Sequence, residues 1–454
     1  MSVGYIIIII VAAVLVLLLM VLRFKISAFI ALLITSILTG ILAGMPLNDI
    51  IETMQKGMGG TLGFVATVVG LGAIFGQMLE SSGGAKALAQ TMMQRFGVKK
   101  APRAMVITGF IIAIPVFFDV GLVILAPILY ALSRDTKKSL LYFGIPLLAG
   151  LAVTHSFIPP TPGPVAVAEI VGADLGWVIL FGFLLGIPTA IIAGPVFGRY
   201  ISGKIKLSPP EHLFNTDLSE NNPEEQLPSF YTIVSIIALP LLLILSSTLT
   251  ETLIKTGSLS HNLVTEIIIF LGHPFTALIL ATLAAIWFLC LRRGFSKEKV
   301  LELSTQALGP AGIIILITGA GGVLKQMLVD SGIGEIMANS LAGSSVHPII
   351  LAWLLSAAVR ITQGSSTVAM ITAAGIFASM LEVFALSPPQ LALVVIAIAS
   401  GATILSHVND SGFWLVSKYF GMNEKQTLRS WTVMETIIAI CGLVFTLAVS
   451  MIIK

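Results

Sequence analysis

Apolar runs of about 20 residues recur along the whole chain, and they constrain its fold more than any other feature. A helix needs about 20 apolar residues to cross the hydrocarbon core of a bilayer. Only 10% of the 454 residues are charged, against roughly 25% in a soluble domain. A mean hydropathy of +1.02 exceeds what one water-soluble core can bury at this length. The sequence therefore predicts an all-α polytopic membrane protein.

Two of the runs, 104–133 and 348–385, are interrupted near their centres, at 114–121 and 360–367. The first run has basic residues at both ends, so it begins and ends on one side of the membrane, and two complete crossings would need about 40 residues. We interpret both runs as re-entrant hairpins. The other runs predict ten transmembrane spans, near residues 4–22, 27–44, 58–80, 139–172, 177–198, 229–248, 271–291, 305–328, 389–420 and 431–453.

The two halves of the chain resemble each other. Gln77-Met-Leu79 recurs as Gln326-Met-Leu328, at an offset of 249 residues that also relates neighbouring motifs. Each half contains five spans and one hairpin, and because five is an odd number, the second half must have the opposite orientation. This arrangement predicts two inverted repeats, 1–200 and 229–454, joined by a cytoplasmic linker, 201–228.

Basic residues set the orientation of the chain. Threading it with the N-terminus outside places 20 of the 25 Lys and Arg residues in inside loops and three outside. Because basic residues concentrate on the cytoplasmic side, this bias predicts that both termini are outside. Inverted repeats with interrupted helices are the architecture of secondary transporters, which bind their substrates at the interruptions, near the midplane.

Two further interruptions, 154–164 and 406–412, fall within the fifth span of each half. Four prolines in the first cannot sit in one continuous helix, and unpaired backbone at this depth must be buried in protein or line a cavity. The N-terminal ends of half-helices bind anions, and hydroxyl groups add donors and acceptors. The interruptions therefore predict a site for a small hydroxylated carboxylate. The candidate substrate-binding residues are Thr154, His155, Ser156, Thr161, Gly163, Arg360, Gln363, Gly364, Ser365, Ser366, Thr367 and Asn409.

Ionisable residues within apolar runs are rare, and they indicate function. Arg360 could clamp a substrate carboxylate, or it could form an internal ion pair with Asp119 or Asp410. Asp119 and Asp410 could couple transport to protons or another cation, since desolvation favours the protonated form of a carboxyl group; structural pairing is the alternative. His155 and His407 occupy matching places in the two broken helices; each is a candidate for a proton relay, and a ring that packs between helices or bonds to the backbone is the alternative.

Five motifs carry a resemblance to a known family: Gly59–Gly63, Phe117–Gly121, Pro159–Pro164, Gly364–Ala369 and Ser406–Trp414. Together they resemble the GntP family of gluconate permeases over essentially the whole chain. The resemblance implies a proton-coupled symporter of the cytoplasmic (inner) membrane for gluconate-like sugar acids, related hydroxy acids or D-serine. It also implies a fold like that of ion transporters with two re-entrant hairpins and separate scaffold and transport domains, and a possible homodimer.

The chain departs from the family pattern at two places. Members of the family commonly have His where this chain has Thr161, which bears on substrate range or coupling. The motif Phe117–Gly121 also differs from the Glu-containing tip of some gluconate carriers. The name of the substrate therefore stays open within the class of small hydroxylated acids.

We therefore expect a secondary transporter that brings a small organic anion into the cytoplasm together with protons. Na⁺ coupling is the nearest alternative, with oxygen ligands at 363–367 and Asn409, and an intramembrane enzyme or a channel is more distant. Nothing in the sequence resembles a nucleophile elbow or a paired metal motif, so we expect neither an enzyme nor a metal or other cofactor. The small net charge of +3 argues against nucleic acid as a partner.

Overall fold

The computed structural model describes residues 3–210, 227–334, 336 and 346–453, and the regular structure within these ranges is helical. Much of the predicted linker, 211–226, lies outside the described residues. The helices of the first half are α1 (Val3–Leu22), α2 (Ala28–Leu42), α3 (Leu47–Ser81), α4 (Gly84–Phe96), α5 (Ala101–Ile112), α6 (Phe118–Thr136), α7 (Leu140–Phe157), α8 (Pro162–Val171) and α9 (Leu175–Lys204). Those of the second half are α10 (Phe230–Lys255), α11 (Leu263–Gly272), α12 (Pro274–Arg293), α13 (Lys297–Asp330), α14 (Pro348–Gln363), α15 (Ser366–Ala378), α16 (Pro388–Gly401), α17 (Ser411–Phe420) and α18 (Glu424–Ser450).

Seven segments of the described chain are long and apolar enough to cross a membrane. They are α3, α7 together with α8, α9, α10, α12, α13 and α18. Shorter apolar helices, including α14, α15 and α16, accompany them. The predicted all-helical polytopic membrane protein is confirmed at this level, whereas ten spans in two inverted repeats stay a prediction.

The helices α3 and α13 are longer than the apolar runs that predicted them. They contain 35 and 34 residues, and they pack along each other. A Cβ atom at Gly57 would lie 2.7 Å from the carbonyl oxygen of Gly322, so the absence of side chains here lets the two backbones approach closely. Because α3 packs along α13, it extends toward its N-terminus over the polar residues before position 58. A further helix, α4, lies between α3 and α5.

The four predicted interruptions are confirmed. Between α7 and α8, residues 158–161 leave the helix, and Pro162 takes the first position of α8, where a missing N–H costs nothing. Residues 113–117 separate α5 from α6, and 402–410 separate α16 from α17. Gly364 ends α14 with φ of +80°, and a Cβ atom there would lie 2.6 Å from Asn409 Cγ, so only glycine fits this turn without strain.

Candidate functional site

The interrupted helices meet around one cavity of about 180 Å³. Both halves of the chain contribute to its wall, and so do all four interruptions. The lining residues are Phe118, Asp119, Ala152, His155, Ser156, Arg360, Ser365, Ser366, Thr367, Asp410, Ser411, Gly412, Trp431 and Glu435. Eight of the residues predicted from the sequence are therefore brought together: Asp119, His155, Ser156, Arg360, Ser365, Ser366, Thr367 and Asp410.

Arg360 is buried and forms an ion pair with Asp410, with Arg360 Nη2 at 2.5 Å from Asp410 Oδ2. Its Nη1 also donates a hydrogen bond to the carbonyl oxygen of Gly364, across the interruption between α14 and α15. Of the two arrangements that the sequence left open, the structure contains the internal ion pair with Asp410. A charge-assisted bond of this kind fixes the guanidinium at the edge of the cavity.

Asp410 is held from several directions. Its Oδ2 accepts a hydrogen bond from Ser406 Oγ at 2.5 Å, and Ser406 Oγ in turn accepts one from Trp431 Nε1 at 2.6 Å. Its Oδ1 accepts the backbone N–H of Gly412 at 3.0 Å and so caps the N-terminus of α17. Asp410 is thus a structural anchor for α17 as well as the partner of Arg360.

Asp119 stands in contrast to Asp410. It lies in the first turn of α6, and its side chain lines the cavity. It forms no hydrogen bond or ion pair with any residue in the described ranges. The cavity therefore contains one carboxyl group that is neutralised by a guanidinium and one that has no such partner.

Glu435 is a third carboxyl group at the cavity, and sequence reasoning missed it. The residue lies on α18, is 4% exposed, and its Oε1 has no hydrogen-bond partner among the described residues. A buried polar atom without a partner is costly, so such atoms call for an explanation. The signal was available, because Glu435 is an acidic residue within the predicted span 431–453, the criterion that selected Asp119 and Asp410.

His155 and Ser366 also present buried polar atoms without partners. His155 lies in the last turn of α7, its ring is 6.2 Å from that of Phe117, and its Nδ1 is unbonded within the described chain. Ser366 is the first residue of α15, and its hydroxyl is buried and unpaired there. Both side chains line the cavity, so their free atoms are available to a ligand that enters it.

Three helices, α6, α15 and α17, begin at the cavity. The first backbone N–H groups of a helix lack intrahelical partners and carry the positive end of the helix dipole. Asp410 accepts one such group at α17, and Ser365 Oγ accepts that of Val368 at α15. The remaining N–H groups favour an anion, and the neighbouring Ser and Thr hydroxyls favour a hydroxylated one.

Some predicted residues support the wall of the cavity without lining it. Asn409 donates from Nδ2 to the carbonyl oxygens of Ile361 and Thr362, at 3.1 and 3.2 Å, and His407 Nε2 lies 3.0 Å from the Ile361 oxygen. These bonds tie the interruption before α17 to the last turn of α14. Gly364 provides the turn between α14 and α15, and both amide atoms of Gln363 are buried without partners in the described chain.

The remaining predicted residues lie around the first broken helix. Thr161 Oγ1 donates to the carbonyl oxygen of Ile158 at 2.6 Å, and the residue faces a separate void of only about 10 Å³. Thr154 is fully buried, and a Cβ atom at Gly163 would lie 2.8 Å from Met370 Sδ. These three residues are packed in the interior and are absent from the lining of the cavity.

Within the described ranges, no group of three or more His, Cys, Asp and Glu residues is placed to hold a metal ion. A polar cavity enclosed by interrupted apolar helices is the arrangement that secondary transporters use for their substrates. These features define the class of the molecule as a membrane transporter, and comparison with known proteins gives its family.

The family model described as GntP family permease matches residues 5–452. The chain is 43% identical over 423 residues to the low-affinity gluconate transporter of Escherichia coli, covering 93% of each chain. It is 41% identical over 434 residues to the gluconate permease of Pseudomonas aeruginosa, covering 95% of each. The chain therefore belongs to the GntP permease family. It is a multi-pass inner-membrane transporter rather than an enzyme.

A solved structure shares the fold at low sequence identity. MtrF of Neisseria gonorrhoeae, described as representing a class of antimetabolite efflux pumps, aligns with a TM-score of 0.65 at 17% identity. The alignment covers 92% of this chain and 93% of MtrF. The likeness extends over nearly the whole chain and concerns the fold alone.

Proposed function

We propose that this protein is a proton-coupled symporter that carries gluconate or a related sugar acid into the cytoplasm. The substrate class rests on the relatives named as gluconate transporters, at about 40% identity over more than nine-tenths of the chain. The cavity supports it, because helix N-termini, a guanidinium and several hydroxyls suit a small hydroxylated carboxylate. Its volume of about 180 Å³ is below the roughly 300–1,000 Å³ of sites for drug-sized molecules.

One observation supports the proposed coupling to protons: three carboxyl groups and a single guanidinium line the cavity. Asp410 is already paired with Arg360, so ionised Asp119 and Glu435 would leave the cavity negatively charged. An anionic substrate would add to that charge in a medium of low dielectric, where like charges repel strongly. Protonation of these carboxyl groups removes the repulsion, so an anion and protons bind favourably together.

Arg360 provides a second link between substrate binding and proton binding. A substrate carboxylate that approaches the guanidinium competes with Asp410 for it, because both are anionic acceptors of the same N–H groups. Asp410 released from Arg360 is left without its counter-ion, and a bound proton would neutralise it in place of the guanidinium. Substrate binding therefore promotes proton uptake, and proton uptake promotes substrate binding, as linkage between two ligands requires.

The wider architecture is part of the proposal. The repeats 1–200 and 229–454, with opposite orientations and a cytoplasmic linker at 201–228, place both termini outside and make the two interrupted runs re-entrant hairpins. Support comes from the meeting of Asp119 and Arg360, which belong to different halves, at one cavity. We include a homodimer in the proposal as well, on the ground of the family resemblance.

Na⁺ coupling is a second candidate, and one observation favours it. Gln363 Oε1 and Asn409 Oδ1 are buried amide oxygens without hydrogen-bond partners among the described residues. Both flank the turn at Gly364, and unwound segments of this kind supply oxygen ligands to Na⁺ in secondary transporters. The two candidates differ in the ion that must accompany the substrate.

Uptake into proteoliposomes of purified protein separates these candidates. We expect labelled gluconate to accumulate against its gradient when a pH gradient, acidic outside, is imposed in Na⁺-free buffer. Uptake that requires Na⁺ and does not depend on the pH gradient would show that Na⁺, and not the proton, is the coupling ion. Equilibration without accumulation under either gradient would contradict symport and indicate a channel.

A further inference from the structure

A second large cavity, of about 690 Å³, lies at the end of the helix bundle where α6 ends, α7 begins and α9 ends. Among the residues that the structure describes, its wall contains five cationic side chains and no acidic one. The cations come from separate segments of the chain: Arg134, Lys137, Lys138, Arg199 and Lys206. The predicted threading places all of them on the cytoplasmic side. We call this cavity the basic pocket.

Within the described ranges, most of the cationic side chains of the basic pocket have no acidic partner. Lys137, Arg199 and Lys206 form no ion pair with residues of the described chain, and Arg134 has only an exposed contact of 3.6 Å with Asp135. Lys138 lies over the ring of Tyr142, at 4.3 Å from its centroid. The bias of basic residues toward the cytoplasm explains their presence on this side, but it does not require that they converge on one concavity.

Hydrogen bonds hold the frame of the basic pocket in place. Ser133 Oγ donates to the carbonyl oxygen of Lys138 at 2.7 Å, which fixes the turn between α6 and α7. Ser139 Oγ donates to the carbonyl oxygen of Ile205 and accepts the N–H of Leu207, which ties that turn to the segment after α9. The pocket is therefore a shaped concavity lined by exposed cationic side chains.

An apolar groove of about 460 Å³ lies further along α9. It runs between α5 and α9 and is lined mainly by Phe96, Val106, Phe110, Ile187, Ile191 and Pro195, with Arg103 at one end. Pro195 lines the groove, and Arg199, four residues further along the same helix, lines the basic pocket. The basic pocket and the apolar groove therefore lie next to each other along α9.

We propose that the basic pocket and the apolar groove together bind one anionic phospholipid, with its phosphate among the cations and an acyl chain in the groove. Basic pockets between transmembrane helices on the cytoplasmic side suit anionic headgroups. A free phosphate would use only the pocket, so the adjacent groove favours a lipid. The ligand would join α6 and α7, the two helices whose opposite ends carry Asp119 and His155 at the substrate cavity. This proposal does not depend on the proposed substrate or coupling ion.

The test is native mass spectrometry of the purified full-length protein titrated with cardiolipin. In the pocket variant, Lys137→Asn, Arg199→Gln and Lys206→Gln are combined; Asn is chosen at 137 because the backbone there is left-handed, with φ of +56°. A cation near an anionic surface contributes about 1 kcal/mol, or roughly fivefold in affinity. We expect cardiolipin binding at least about tenfold weaker than in the unmodified protein.

The matched control combines Lys297→Gln, Lys425→Gln and Arg429→Gln, which removes three exposed cations of the same predicted side from outside the pocket. We expect this control to keep wild-type affinity. Ile187→Trp, which fills the apolar groove, should weaken cardiolipin binding severalfold and leave the binding of inorganic phosphate unchanged. Equal weakening in the pocket variant and the control would overturn the proposal. So would displacement of the lipid by millimolar inorganic phosphate together with unchanged lipid binding in Ile187→Trp, because the site would then be one for free phosphate.

Discussion

The two interrupted runs that meet at the cavity are both broken near their centres, but they carry opposite charges. Asp119 is the second residue of α6, and the second residue of α15 is Thr367. Arg360 stands four residues from the end of α14, where the matching position of α5 is Gly109. One run thus provides a carboxyl group without a partner, and the other a guanidinium that is already paired. The interrupted helices position the cavity, and the unlike residues beside the two breaks give it its charge pattern.

Removing the guanidinium is expected to have the largest effect on this pair of runs. Arg360→Ala leaves the largely buried Asp410 without its counter-ion, which costs about 3–5 kcal/mol, and takes away the group that we propose to bind the substrate carboxylate. We expect loss of uptake and a lower melting temperature. Arg360→Ala combined with Asp410→Ala should recover part of the stability but no uptake. Wild-type affinity in Arg360→Lys, which lacks the bidentate fork, would show that the arginine serves only the ion pair.

Removing the carboxyl group from the other run should act on coupling rather than on folding. Asp119 has no bonding partner within the described chain, so Asp119→Asn breaks no observed contact and should leave the melting temperature unchanged. We expect uptake driven by a pH gradient to fall by at least about tenfold, equivalent to 1.4 kcal/mol. Exchange of labelled for unlabelled substrate should persist, since it needs no net proton movement. Full accumulation by this variant would remove Asp119 from the coupling machinery.

Glu435 lies outside both runs. Replacing it tests whether this third carboxyl group also takes part in proton binding. Glu435→Gln keeps the shape of the side chain and resembles the protonated acid, so the protein should fold and bind substrate. We expect accumulation to fall severalfold and the dependence of uptake on external pH to flatten. Thr446→Val, at a buried position elsewhere on α18, is a suitable control for packing. A pH profile that coincides with that of the unmodified protein would assign Glu435 a purely structural role.

Thr161 is expected to show the smallest effect. Its hydroxyl bonds to the backbone of Ile158, and the residue does not line the cavity. Thr161→Ser retains that hydrogen bond, so gluconate uptake should stay within about twofold, well under the 1.4 kcal/mol that a tenfold change represents. A large change in the half-saturation concentration would bring Thr161 back into the substrate site, as the sequence predicted.

The interruptions could be predicted because prolines, glycines and charges within apolar runs are rare and have local causes. The same criterion found Asp119, Arg360 and Asp410, which line the cavity. It failed at Glu435 because α18 is not interrupted in its apolar region, and no break drew attention to the residue. Sequence could not choose the partner of Arg360, since that depends on how α14 and α17 pack. For the same reason, the sequence could not show that the Asn409 amide bonds to the end of α14.

Substrate-dependent proton movement tests the central claim most directly. Proteoliposomes containing a trapped pH-sensitive dye would receive gluconate outside in Na⁺-free buffer, with the membrane potential clamped at zero. The proposal predicts that the interior acidifies on addition of gluconate, in proportion to labelled gluconate taken up, and that Asp119→Asn abolishes the acidification. Gluconate uptake at the full rate without any change in internal pH would contradict it.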